Sequence, residues 1–264
     1  MEEFKIIDFH VHVFAPKIAA KATRATCDHY RFPSEVEVGD IDSLYKSIEG
    51  HNIVKMVVHS TATKASQVKS INDFLISLDD ERFVKFCTMH PDYEDIYGEL
   101  ERMKGLGARG IKLHTDFQFF NADSPEAYPI YDAAKQLDMP VLFHVGDSTC
   151  DYSHPRRIAA VAADFPHLKI IGAHFGGREM WEDAALCLAD KENVWFDTSS
   201  ALSMLGARRA DELIRIYGVD RMLFATDFPM ANHTMEIKRF MYLNLSNADR
   251  EKIFYKNAAK LLNL

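Results

Sequence analysis

Short apolar runs alternate with longer amphipathic stretches along the whole chain. The runs fall at 4–12, 53–59, 83–89, 109–114, 140–145, 168–174, 193–198 and 221–227, and most are unbroken series of Val, Ile, Leu and Phe. Unbroken apolar runs of this length suit parallel strands whose outer faces are covered by helices. The intervening stretches carry helical periodicity. Leu44 and Ile48 share a face of 42–49, and Val68, Ile71, Leu75 and Leu78 share one of 66–78. Ile96, Leu100 and Met103 do the same within 93–106, as do Tyr128, Tyr131, Ala134 and Leu137 within 125–137. These stripes read as core faces. Further helices are predicted over 155–165, 178–189, 201–217 and 235–243, and a last one over 247–262 with Ser246 as its cap.

Eight strands in alternation with eight helices predict an α/β protein, a single (β/α)8 TIM barrel in which 1–264 form one domain. No internal repeat, low-complexity tract or linker interrupts the pattern. The longest stretch without periodicity is 13–40, after the first strand. It is expected to be a long loop, a lid candidate at the catalytic end, and it carries Arg24, His29, Tyr30 and Arg31.

Composition narrows the function classes. With 264 residues and 47% hydrophobic content, the chain can bury a large core without disulfides. A net charge of -8 argues against nucleic acid as partner and supplies no basic patch for a membrane surface. No apolar run approaches the roughly 20 residues of a membrane span. The start lacks the cationic and apolar regions of a signal peptide, so a cytoplasmic location is expected. Cys27, Cys87, Cys150 and Cys187 form no Cys-x-x-Cys pair and read as reduced thiols. Cys150 lies just past His144, close to the candidate chemistry. The expected partner is a small molecule, and a homodimer is the base-rate expectation for assembly.

The chemistry stands at the ends of the apolar runs. His10 and His12 close the first, Lys112 and His114 lie on the fourth, His144 ends the fifth, His174 the sixth and Asp227 the last. A lone histidine of this kind is more often a buried, hydrogen-bonded core residue. Agreement in position across several strands reverses those odds, because a barrel gathers its strand ends at one face. Residues i and i+2 of a strand point the same way, so His10 and His12 can share one cation. Asp8 points with them one layer down, where a carboxylate can orient a ligand histidine. Asp227 suits both a metal ligand and a proton acceptor, although an Asp before Pro229 also reads as a helix cap. A buried Lys112 needs an anionic partner. A substrate carboxylate, carboxylation into a bridge between two metals, and a side chain leaning out to solvent weigh alike.

These residues carry a family resemblance. His10-Val11-His12, the segment 107–114, 140–144, Gly172-Ala173-His174-Phe175-Gly176-Gly177 and Thr226-Asp227-Phe228-Pro229 resemble the amidohydrolase superfamily. The branch is that of aminocarboxymuconate-semialdehyde decarboxylase, resorcylate-type decarboxylases and several hydrolases and lactonases. The resemblance spans essentially the whole chain. It implies one divalent metal, usually zinc, with His10, His12, His144 and Asp227 as ligands and His174 as the catalytic histidine. In binuclear relatives a carboxylated lysine at the position of Lys112 bridges a second metal. The chain is short for the branch and lacks insertions that build its substrate pockets.

The function expected first is metal-dependent hydrolysis of an amide, lactone or ester carbonyl by activated water, with Asp227 or His174 taking the proton. Lys112, Arg24, Arg31 or His114 would hold a substrate carboxylate. The alternative is non-oxidative decarboxylation of an aromatic or enol acid at the same metal. A third reading is a metal-binding protein without catalysis, which the intact ligand set opposes.

Overall fold

The computed structural model describes residues 4–32 and 36–264. Its strands are β1 (Ile6–His12), β2 (Ile53–His59), β3 (Phe83–Thr88), β4 (Gly110–Leu113), β5 (Val141–Phe143), β6 (Ile170–Gly172), β7 (Val194–Asp197) and β8 (Met222–Leu223). They form one eight-stranded sheet in sequence order. The helices between them are α1 (Ala19–Tyr30), α2 (Ile41–Ile48), α3 (Val68–Ser77), α4 (Ile96–Gly105), α5 (Thr115–Gln118), α6 (Tyr128–Gln136), α7 (Pro155–Asp164), α8 (Trp181–Leu188), α9 (Leu202–Tyr217), α10 (His233–Met241), α11 (Asn247–Glu251) and α12 (Asn257–Leu262). The protein is a (β/α)8 barrel, as the apolar periodicity requires. No helix among the described residues is long and apolar enough to cross a membrane.

The chain falls into two compact units, one of residues up to 58, 81–83 and 198–264, the other of 59–80 and 84–197. In the first unit, β1 lies beside the chain of β8. Phe9 N donates to Phe224 O, Asp227 N to His10 O and His12 N to Phe228 O. Val11 and Phe228 form a parallel bridge. The rings of Phe224, Phe240 and Phe254 pack with centroids 4.4–5.5 Å apart behind this seam.

The stretch 13–40, expected to be irregular, contains the three-turn helix α1. Its buried residues are Ala19, Thr23 and Cys27, at helical spacing but small or polar. A helix that buries such a stripe leaves no mark in a hydrophobicity pattern. The final helix is also less regular than its periodicity suggests. Ser246 caps it, accepting from Asp249 N at 3.1 Å, but a π-helical turn at Lys252–Lys256 separates α11 from α12. The extra residue in that turn keeps Ile253 and Phe254 buried together with Ala258 and Leu261.

In the second unit, β3 to β7 pair in parallel, with Thr88 level with Lys112, Lys112 with Leu142, and Leu142 with Ile171. Asn72 on α3 pins the end of β3: its Nδ2 donates to Thr88 O and its Oδ1 accepts from Thr88 N. The same Nδ2 donates to Glu99 Oε1, and Arg102 holds Glu99 with two further bonds. Tyr131 is wholly buried and donates its hydroxyl to Ala122 O at 2.7 Å.

Candidate active site

In the first unit, the end of β1 and the residues after β8 bring three metal-binding atoms together. His10 Nε2 and His12 Nε2 are 3.2 Å apart. Asp227 Oδ1 lies 3.4 Å from the first and 3.3 Å from the second. The pleat explains the histidine pair, since both side chains leave the same face of β1. Asp227 reaches them from a left-handed backbone conformation, φ +70°. That conformation is costly for a residue with a Cβ and persists only where the surroundings enforce it. Here the enforcing bonds are Asp227 N to His10 O, Met230 N to Asp227 O, and Ser200 Oγ donating to Asp227 Oδ2 at 2.7 Å.

These three donors fit a metal. A tetrahedral ion with bonds of about 2.0–2.1 Å separates neighbouring ligand atoms by roughly 3.3–3.4 Å, the spacing of this triangle. Without a cation, ring protons cannot relieve all three contacts at once: two Nε2–H groups donating to Asp227 Oδ1 face each other, and a bare nitrogen faces a carboxylate oxygen.

Asp8 supports the triangle in a way the sequence pattern did not anticipate. It accepts from the backbone N–H of His10 and of Thr226, both at 3.0 Å, and from Thr226 Oγ1 at 2.5 Å. The imidazole it faces is that of His233, whose Nε2 is 3.1 Å from Asp8 Oδ2. His233 Nδ1 contacts Ser47 Oγ at 2.9 Å. Asp8 thus clamps the backbone at His10 to the backbone at Thr226, next to Asp227. His233 and Ser47 stand at ordinary positions on α10 and α2, with nothing in their spacing to single them out. Beside Ser200 and Pro229 lies a cavity of about 290 Å³ lined also by Phe32, Met230, Met235 and Arg239. Arg239 pairs with the buried Glu236, whose carboxyl burial pushes up to about 7 against the lowering effect of that bond.

In the second unit, the histidines at the ends of β5 and β6 bond to each other. His174 Nε2 is 3.0 Å from His144 Nδ1, and His144 Nε2 is 2.9 Å from the carbonyl of Gly146. A carbonyl only accepts, so His144 Nε2 carries a proton; its Nδ1 then accepts from His174 Nε2. Burial, followed by the nearby His114, His174, Lys112 and Arg178, holds His144 well below its ordinary pKa, which keeps it neutral. His174, like Asp227, has a left-handed backbone, φ +58°. Its N–H donates to Asp197 Oδ1 at 3.0 Å and its carbonyl accepts from Trp181 Nε1 at 3.0 Å.

His114 is sandwiched, stacking on Phe117 at 3.9 Å and on His144 at 4.0 Å. Lys112 is completely buried, so it does not lean out to solvent. Gly146 has φ +85°, and a Cβ there would sit 2.5 Å from Arg178 N and O, so only glycine can present this carbonyl to His144. Arg24 and Arg31 are placed differently. Both are exposed at α1, Arg24 paired with Asp28 at 2.8 Å and Arg31 at the helix end.

The amidohydrolase family model matches residues 7–264. The chain belongs to the amidohydrolase family. A curated relative, gamma-resorcylate decarboxylase of Polaromonas sp. (strain JS666), is 25% identical over 294 residues, covering 84% of this chain and 87% of the relative. Two solved structures share the fold. A 2,6-dihydroxybenzoate decarboxylase complexed with 2,6-dihydroxybenzoate aligns with a TM-score of 0.75 at 21% identity, covering 100% of both chains. A dihydroxybenzoic acid decarboxylase from Polaromonas sp. JS666, with bound manganese and the inhibitor 2-nitroresorcinol, aligns with a TM-score of 0.74 at 18% identity. It covers 99% of this amidohydrolase and 97% of that chain.

Proposed function

We propose that this amidohydrolase is a metal-dependent decarboxylase of a small hydroxylated aromatic carboxylic acid. The ranking of hydrolysis first and decarboxylation second is thereby reversed, because similarity in sequence and in fold runs to dihydroxybenzoate-type decarboxylases. The observation that carries the reading is the triangle of His10, His12 and Asp227 donors, spaced for one divalent cation. His144 is proposed as a further ligand; in that role its Nε2 leaves the Gly146 carbonyl. Zinc and manganese both accept nitrogen and oxygen donors, so the set does not choose between them. When bound, such an ion supplies a positive charge that grips and polarises the oxygens of the substrate.

The residues supply the rest. Decarboxylation needs a proton delivered to the ring carbon that carries the carboxylate. A carbon–hydrogen bond forms there, and the electron pair of the broken carbon–carbon bond returns to the ring as carbon dioxide leaves. His174 is the proposed acid, held in position by its 3.0 Å contact with His144. Asp227 is a poor acid here: one oxygen faces two imidazoles and the other accepts from Ser200. Lys112, completely buried, is the cation proposed to meet the substrate carboxylate, ahead of the exposed Arg24 and Arg31. His114, stacked between Phe117 and His144, holds the His144 ring in place.

The test is carbon dioxide release from 2,6-dihydroxybenzoate and other ortho-hydroxylated benzoates by protein loaded with manganese or zinc, run beside a panel of lactones and amides. Release of carbon dioxide without acid release from the panel supports the proposal. Hydrolysis alone would restore the first-ranked reading. Inactivity on both panels at full metal loading would leave a metal-binding protein.

A further inference from the structure

A second group of metal-binding side chains lies in the second unit, on residues with no part in the chemistry above. Asp116 on α5 and Asp147 and Cys150 in the chain after β5 offer two carboxylate oxygens and a thiol, all within 4.8 Å of one another. Asp116 and Asp147 are buried, at 1% and 4% exposure, and Cys150 is half-buried. One Asp116 oxygen accepts from Ser153 N at 3.2 Å. The other is buried and takes no hydrogen bond. An acceptor so placed, next to a second carboxylate, costs free energy unless a cation or proton meets it.

We propose that Asp116, Asp147 and Cys150 form a second cation site, for a thiophilic divalent ion of the zinc class. The donor set argues for that class. Calcium and magnesium want six or more oxygens, whereas two carboxylates and a thiolate suit zinc or cadmium. Tetrahedral zinc with oxygen and sulfur ligands needs donors about 3.3–3.7 Å apart, so no pair among the three has to close by more than roughly 1–1.5 Å on binding. Cys150 stands in a short turn where Asp147 Oδ1 accepts from Thr149 N and Oγ1, and a turn can make that adjustment. Asp116 is already inclined to hold a positive partner: burial, and to a lesser degree Asp147, push its carboxyl up to about 6.

The site has a consequence for the histidines. Ser153, bonded to Asp116 through its N–H, also accepts from Gly146 N through both Oγ and its carbonyl. Gly146 in turn presents its carbonyl to His144. A cation between Asp116 and the 147–150 turn would therefore tie down the segment that follows His144, making it a structural clamp beside the active centre.

The experiment is a cadmium titration of the full chain already loaded with its first metal, followed by the ultraviolet thiolate-to-cadmium charge-transfer band. The expected result is a band saturating at one cadmium per chain, absent in Cys150→Ser and weakened at least tenfold in Asp116→Asn. The first metal, quantified by elemental mass spectrometry, stays unchanged in both. No band in the unsubstituted protein, a band that survives Cys150→Ser, or unaltered affinity in Asp116→Asn would overturn the proposal. Should Asp116→Asn fail to fold, the half-buried Cys150→Ser decides alone. Failure of the decarboxylase reading leaves this outcome untouched, because the readout involves neither substrate nor the His10, His12 and Asp227 set.

Discussion

His10 and His12 at the end of β1, and His144 and His174 at the ends of β5 and β6, are the same residue type at the same kind of position. They are bonded in opposite ways. The first pair meets a carboxylate in a closed triangle of ligand atoms, every edge 3.2–3.4 Å. The second pair forms an ordered chain in which His174 donates to His144 and His144 donates to a backbone carbonyl. Ring protons cannot satisfy all three edges of a closed triangle, which therefore suits a cation, whereas a donor–acceptor chain satisfies itself and holds a proton. Burial alone does not separate the two, since all but His12 are buried. The complement of donors and acceptors does.

The largest effect should come from breaking the triangle. His12→Asn removes one of its three corners. Loss of residues that merely support metal ligands costs about 10–100-fold in affinity, so loss of a ligand should exceed about 100-fold. Activity should fall to background. Metal content after dialysis checks the first statement. A variant that retains its metal would dissolve the distinction between the two groups.

His174→Asn should act on the other side of the comparison. A positioned acid or base contributes about 10²–10⁴-fold to rate, so turnover should fall by that factor while metal content stays at the unsubstituted level. Loss of metal instead would make His174 a ligand. Gly146→Ala should be smaller. The left-handed backbone and the 2.5 Å approach to Arg178 make a Cβ costly, by about 2–3 kcal/mol in thermal or denaturant unfolding. Turnover should fall as the turn that follows His144 shifts.

Much of this was legible in the sequence for a physical reason. Parallel strands covered by helices must be apolar throughout, so a polar residue at their ends stands out against its run, and His10, His12, Lys112, His144, His174 and Asp227 all did. Helix α1 was not legible, because its buried stripe is Ala19, Thr23 and Cys27. Nor were His233 and Arg239, which matter through where the fold carries them. Asp8 was half legible. The pleat put it on the correct face, but its ring partner, His233, lies 225 residues on, beyond the reach of any local pattern. Hydrolysis and decarboxylation share the metal-binding residues, so strand ends could not rank one above the other.

The smallest predicted effect concerns stability and uses Asp116 as the contrast to Asp227. Asp227 is buried in company with imidazoles, Asp116 in company with another carboxylate. Burial raises the Asp116 carboxyl from 3.8 to about 6. The folded state therefore holds its proton more tightly than the unfolded chain, and between pH 4 and 6 it binds more protons. Stability from this group is fully present below pH 4 and is lost as the pH rises through 6. The full shift corresponds to about 3 kcal/mol, of which roughly 1–2 should survive local relaxation. Asp116→Asn carries no such charge. In metal-free protein, its stability relative to the unsubstituted chain should rise by about 1–2 kcal/mol between pH 4 and pH 7, measured by urea unfolding at each pH. With zinc present at pH 7 the order should invert, because the ion stabilises only the chain that keeps the carboxylate. A pH-independent difference would show that Asp116 is solvated like a surface carboxylate. Inversion on adding zinc would tie its burial to a cation.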